Sequence, residues 1–243
     1  MSRYRAFGIH FGISLVIFLA LAWLVVRVWY PGFFFETDGG WEGMRIIVLV
    51  DLVLGPLLTL LVFKAGKPGL RFDLTVIGLV QAIALAGGTW VVHAERPLAM
   101  VYVDGQFFTV SRGDFEELEL ETPSLDALPG PYPKWVAVEI PDDPVAQSEI
   151  RQRSLSTDTP LRLLADRYVP FEPDPRFLDE AYSRAEIEAR DGEKHALARW
   201  LASHGGALDD YRFYPLGARY RYAFLGYRAV DGALVGVLDV EAG

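Results

Sequence analysis

Apolar residues gather in three long runs near the start of the chain: Ala6–Val26, Ile46–Phe63 and Leu74–Val92. The first holds His10 as its one titratable side chain, the second holds Asp51, and the third holds none. A helix needs roughly 20 apolar residues to cross a hydrocarbon core, so each run is long enough to span a membrane. The predicted spans are residues 6–29, 45–63 and 74–92. From residue 93 the pattern becomes that of a soluble domain. Leu98–Val103 and Gln106–Val110 alternate apolar and polar around Asp104-Gly105, a dipeptide that favours a two-residue hairpin turn. Asp114–Pro133 is acidic and proline-bearing and reads as a surface excursion, and Lys134–Ile140 reads as a third strand. A helix starts at Asp143 or Pro144, with proline in its first turn, and runs to about Ser154. Phe177–Ser203 is helical in pattern up to His204-Gly205-Gly206, and its charged middle, Ser183–Lys194, leaves one helix or two. Tyr211–Pro215, Arg221–Val230 and Ala233–Val240 read as strands, the last two joined through Asp231-Gly232. The predicted fold is a membrane protein with three N-terminal transmembrane helices (1–92) followed by an α+β domain (93–243).

Charge sharpens this division. Residues 1–92 carry a net +2 and residues 93–243 a net −11, within the chain's −9. So acidic a domain is a poor ligand for nucleic acid. With no cysteine in the chain, disulfides and thiolate chemistry are excluded. His10, His93, His195 and His204 show no metal-ligand spacing, and Glu193-Lys194-His195 reads as a solvated helical face. Nucleophile elbows, phosphate loops and dinucleotide fingerprints are missing, so neither enzyme activity, metal nor cofactor is expected. The short flanks set orientation. Arg3, Arg5, Lys64, Lys67 and Arg71 place the N-terminus and the second loop in the cytoplasm, and Glu36, Asp38 and Glu42 place the first loop outside. The acidic domain is then expected across the membrane. The first run ends Val26-Arg27-Val28-Trp29-Tyr30-Pro31 with no small-x-small cleavage site, so it is expected to stay as a span.

Three features inside the spans carry candidate chemistry. A carboxylate in hydrocarbon normally faces a partner or water. Counted from Arg45, Asp51 sits near the level of Arg27, so the expected arrangement is an Asp51–Arg27 pair that fixes helix register. A binding or proton-transfer role for Asp51 is the alternative. Gly55-Pro56 predicts a kink in mid-span, with Thr59 placed to bond back to Gly55. Two stripes of small residues, Gly8/Gly12 and Gly78/Ala82/Ala86, allow close helix approach. Either packing among the three spans or reception of a foreign helix would use them.

Several segments together are similar to the type IV pilin accessory proteins. They are Arg5-Ala6-Phe7-Gly8-Ile9-His10, Val28-Trp29-Tyr30-Pro31, Asp51–Leu60 with its Gly-Pro, Leu70-Arg71-Phe72-Asp73-Leu74, Gln81 and Ala94-Glu95-Arg96-Pro97. The resemblance covers residues 3 to about 110 and is looser beyond. It implies a bacterial inner-membrane protein, embedded in the lipid bilayer with a periplasmic domain, that assists one type IV major pilin as chaperone or assembly modulator. Other pilus assembly proteins are further implied partners, and no catalytic residues carry over. Under this resemblance Gly78, Ala82 and Ala86 are the candidate groove for the pilin's apolar helix, with the inner half mattering most. A receptor with a periplasmic ligand-binding domain is the alternative, and a 10-residue inner loop leaves it little means of output. A membrane-bound hydrolase would need a polar constellation that the sequence does not display.

Overall fold

The first apolar run forms α1, Arg3–Leu24, and continues through a π-helical turn, Val25–Trp29. Ser2 caps it, its hydroxyl accepting the Arg5 N–H at 3.3 Å. A short helix, α2 (Phe34–Thr37), crosses to Gly39, whose φ of 97° opens the second span. That span is α3 (Gly40–Ile47), a π-helical stretch (Val48–Leu54) and α4 (Gly55–Val62) in sequence. The third is α5, Leu70–Ala94, entered through Gly69 at φ 78°. The computed structural model describes residues 2–173, 177, 180–191 and 195–240. By length and composition three helices can cross a membrane: Arg3–Trp29, Gly40–Val62 and Leu70–Ala94. Their apolar side chains point outward, with Ile13, Leu19, Val80 and Ile83 each more than half exposed. A bundle in water would bury such residues; lipid tails solvate them without cost. Each span begins before its apolar run, because polar first-turn residues such as Glu42 and Arg3 are helical too.

The chain divides into two units, Met1–Arg96 and Pro97–Gly243. The second unit holds a seven-stranded mixed sheet in the order β4-β3-β1-β2-β5-β6-β7. Its strands are β1 (Pro97–Val103), β2 (Gln106–Ser111), β3 (Lys134–Val138), β4 (Tyr168–Pro170), β5 (Tyr211–Gly217), β6 (Tyr222–Arg228) and β7 (Leu234–Leu238). The first hairpin forms as the dipeptide demands, with Asp104 at φ 50° and Gly105 at φ 74°. The second is wider than two residues: the Arg228 N–H donates to the Ala233 carbonyl, and the Gly232 N–H returns to the Arg228 carbonyl. The parallel pair β2/β5 joins the two hairpins through β5, and the parallel pair β1/β3 adds β3 beside the first.

Helices α6 (Arg112–Glu117) and α7 (Pro144–Ser156) follow β2 and β3, and α8 (Arg184–Asp191) and α9 (Ala196–His204) precede β5. The 114–133 segment is more than a surface excursion. Phe115 and Leu125 are buried and pack with Val101, Val110 and Val136, so this segment roofs part of the core. Among the described residues, Phe177–Ser203 holds two helices rather than one. His195 has φ 53°, a left-handed value that ends helix continuity, while Glu193 and Lys194 lie outside the described residues. Helix α9 lays Trp200 against Phe213 and Phe224, and Gly226 leaves room for the indole. Rings of Phe107, Phe177, Tyr214 and Tyr227 form a separate aromatic cluster, with Phe177 stacked on Tyr214 at 4.0 Å.

Candidate functional site

Polar residues of the first and second spans recur every four positions and therefore share a face. His10 and Ser14 lie on α1, and Asp51, Gly55 and Thr59 lie on the second span. The faces meet antiparallel: Ser14 Oγ donates to Asp51 Oδ1 at 3.4 Å, and His10 Nδ1 lies 2.6 Å from Thr59 Oγ1. Gln81 of the third span fills the space left by the missing Gly55 side chain. A Cβ at Gly55 would stand 1.5 Å from Gln81 Nε2. Ser14, Asp51, Thr59 and Gln81 are each less than a tenth exposed. Asp51 Oδ2 and both amide atoms of Gln81 have no hydrogen-bond partner within the chain.

The expected Asp51–Arg27 pair does not form. Asp51 is level with Ser14, and Arg27 lies 13 residues further along the first span, roughly 20 Å at the helical rise. Arg27 is exposed, within the π-helical turn. Its side chain is too short for that gap. The misplacement came from counting depth from Arg45, whereas the helix begins at Gly40. Gly55 and Pro56 are buried at the junction of the π-helical stretch with α4. Thr59 Oγ1 pairs with His10 Nδ1 rather than bonding back to Gly55.

At the end of the bundle that leads into β1, Tyr30 donates its hydroxyl to the Val92 carbonyl at 2.8 Å, tying the first span to the third. Gly43 lets the second span close on Val92, where an added Cβ would meet the side chain at 2.5 Å. Among the glycines of the spans, Gly43 and Gly55 are thus the ones against which another span packs closely. Gly8, Gly12 and Gly78 have nothing within 4 Å of an added Cβ. Neither predicted stripe is used for packing at these glycines.

Above Gln81 the first and third spans flank an open apolar groove of about 620 Å³. Ile17, Ala20 and Leu21 form one wall, and Ala82, Leu85, Ala86 and Thr89 the other. Trp29, Trp90 and His93 stand at one end, with the Trp29 and His93 rings edge-on at 4.9 Å. Ala82 and Ala86 line this groove and Gly78 does not, so it occupies the half of the third span nearer β1. Sequence reasoning did not bring Ser14 or Gln81 to Asp51. The four-residue recurrence of His10/Ser14 and Asp51/Gly55/Thr59 was the signal that would have found the polar face.

In the second unit a polar cleft of about 400 Å³ lies beside β1 and α7. Arg151 forks onto both oxygens of Asp104 there at 2.7 and 2.8 Å, and this pairing raises the arginine's already high pKa. Asp142, Glu172 and Glu180 also line the cleft, and Tyr102 donates to Glu180. Among the described residues no group of three or more His, Cys, Asp or Glu could hold a metal ion.

Comparison with known proteins places this arrangement. The fimbrial assembly protein of serogroups C1 and C2 of Dichelobacter nodosus is 32% identical over 112 residues, 44% of this chain and 83% of the relative. The chain belongs to the fimbrial assembly protein family. The family model described as fimbrial assembly protein FimB matches residues 1–37, the first span and its exit. Two further members from Dichelobacter nodosus, of serogroups E1 and I, are 32% and 31% identical over 133 residues, 53% of this chain. The matched stretch is 48% of each of those two proteins, so the chain spans about half their length. No solved structure matches the chain.

Proposed function

We propose that this protein assists assembly of type IV pili as a pilin-specific accessory protein of the inner membrane. In this reading it holds the apolar helix of a membrane-resident pilin in the groove between its first and third spans. The observation that carries the reading is the groove itself: an open apolar cleft between the first and third spans of a family member, with alanines on both walls. Small wall residues let a helix backbone approach closely, the main source of helix association in lipid. The second unit would lie in the periplasm, following the Lys/Arg bias of the flanks. Its acidic cleft would select among pilin heads by charge complementarity more than by raw affinity. The role is one of holding and handing on, without catalysis.

The test is photo-crosslinking in cells from position 82 or 85, with cognate or foreign pilin expressed. The expected product is an adduct with the cognate pilin, abolished by Ala86→Leu, which fills the groove while keeping the helix apolar. Adducts to lipid alone, together with normal piliation in a deletion strain, would overturn the reading. A receptor whose second unit binds a small ligand would then be the better account.

A further inference from the structure

We propose that Asp51, Ser14 and Gln81 form a binding site for one small monovalent cation, probed here with Na+, inside the three-span bundle. The argument begins with charge. Asp51 is 5% exposed in the middle of a span; on the facing span Arg5 and Arg27 lie nine and 13 residues from Ser14, and His10, one turn from Ser14, is the ionisable group that acts on it electrostatically. His10 is bonded to Thr59 rather than to Asp51, and a carboxylate desolvated without a directly paired counter-charge is strongly unfavourable.

The unsatisfied side chains lie on neighbouring turns. Ser14 engages Asp51 Oδ1 and leaves Oδ2 without a partner. Gln81 is 8% exposed with neither amide atom bonded, and its side chain presses onto Gly55. Gly55 is one turn beyond Asp51 on the same helical face. Buried side-chain polar atoms are nearly always satisfied, by protein, water or an ion. Two such groups, one on the second span and one on the third, sit a single turn apart. Gly55 is what permits this, because any larger residue would expel the amide.

The donor set fits a hard cation. It offers a carboxylate oxygen, an amide oxygen and a hydroxyl oxygen. His10 is engaged with Thr59. One carboxylate and one monovalent ion leave the site neutral, as a low-dielectric interior requires. A divalent ion would leave a buried positive charge.

The experiment is thermal unfolding of the full chain in detergent, in NaCl against choline chloride at equal ionic strength. Na+ should raise the melting temperature saturably, by on the order of a few degrees. Asp51→Asn and Gln81→Leu should remove that response, and Ser14→Ala should move its midpoint to at least tenfold higher Na+. If Asp51→Asn does not fold, the other two variants report on the same site. No Na+-specific rise in the wild type would overturn the proposal, as would a rise kept in both Asp51→Asn and Gln81→Leu. Stabilisation by acid alone, equal in Na+ and choline, would likewise overturn it and assign neutralisation to a proton. The readout does not involve pilin, so it stands or falls apart from the groove's occupant.

Discussion

Single atoms decide how closely these spans pack. Gly55→Ala places a methyl group where Gln81 now sits, so the amide must leave a buried position or the helices must part. Overpacking of this kind costs about 1–3 kcal/mol, read as a lower melting temperature in detergent. Gln81→Ala makes room for that methyl, so the double variant should be more stable than the sum of the two single effects predicts. Gly78→Ala, with open space around it, should be silent. Tyr30→Phe removes the hydroxyl that satisfies the Val92 carbonyl and should cost about 1–2 kcal/mol. In the second unit, burial pushes the hydroxyl of Tyr227 well above the ordinary tyrosine range, and neighbouring Tyr214 adds to this. Tyr168 is raised in the same direction, again chiefly by burial. The unfolded chain then loses these protons first, near pH 10. Below that pH the ionisation of neither tyrosine affects stability; above it the folded state is progressively disfavoured. Tyr227 has no hydrogen-bond partner for its hydroxyl, so Tyr227→Phe should be well tolerated at neutral pH. It should also lessen the alkaline loss, measured by near-UV circular dichroism together with tyrosinate absorbance.

Elements differ in how openly the sequence declares them. The spans are legible because hydrocarbon thickness imposes a length that chance rarely produces, and the Asp104-Gly105 hairpin because positive φ at two successive positions selects those residues. Depth within a span is less legible. Helix starts lie in polar residues, and the π-helical turns at Val25–Trp29 and Val48–Leu54 change the angle per residue with no sequence marker. Both effects led from Asp51 to Arg27 instead of Ser14. The parallel pairs β1/β3 and β2/β5 join distant strands, and local patterning does not record them. The roof over the core was hidden by composition: Phe115 and Leu125 are single apolar residues in an acidic stretch, yet both are buried. Helix α9 was visible from its period, but what it covers was not. Trp200 packs edge-on to Tyr211 and Phe213 at 4.9 and 5.2 Å and occupies the gap above Gly226. Trp200→Ala should therefore cost about 3–5 kcal/mol, seen as early loss of tertiary signal on urea titration.

At the scale of the whole molecule, an odd number of spans puts the residues before the first span and those after the third on opposite sides of a bilayer. The choice of side rests on the short flanks. Arg3 and Arg5 precede the first span, and Lys64, Lys67 and Arg71 lie between or at the ends of the second and third. The loop on the other side carries Glu36, Asp38 and Glu42 against Arg45. Positive residues near span ends are retained in the cytoplasm, so the second unit is expected in the periplasm, where pilin heads would be met. Alkaline phosphatase, active only when exported, should be active fused after Val240 and inactive fused within Lys64–Gly69. The reverse pattern would invert the topology and deprive the acidic cleft of its proposed partner. Replacing Lys64, Lys67 and Arg71 with Gln should weaken the preference and yield mixed activity at both positions. The groove is less sensitive to orientation, because it lies wholly within the spans. A flipped molecule would still offer it to a helix, but the second unit would then stand on the wrong side for the pilin head. Loss of pilin discrimination with crosslinking from position 82 retained is therefore the expected signature of the charge-neutralised loop.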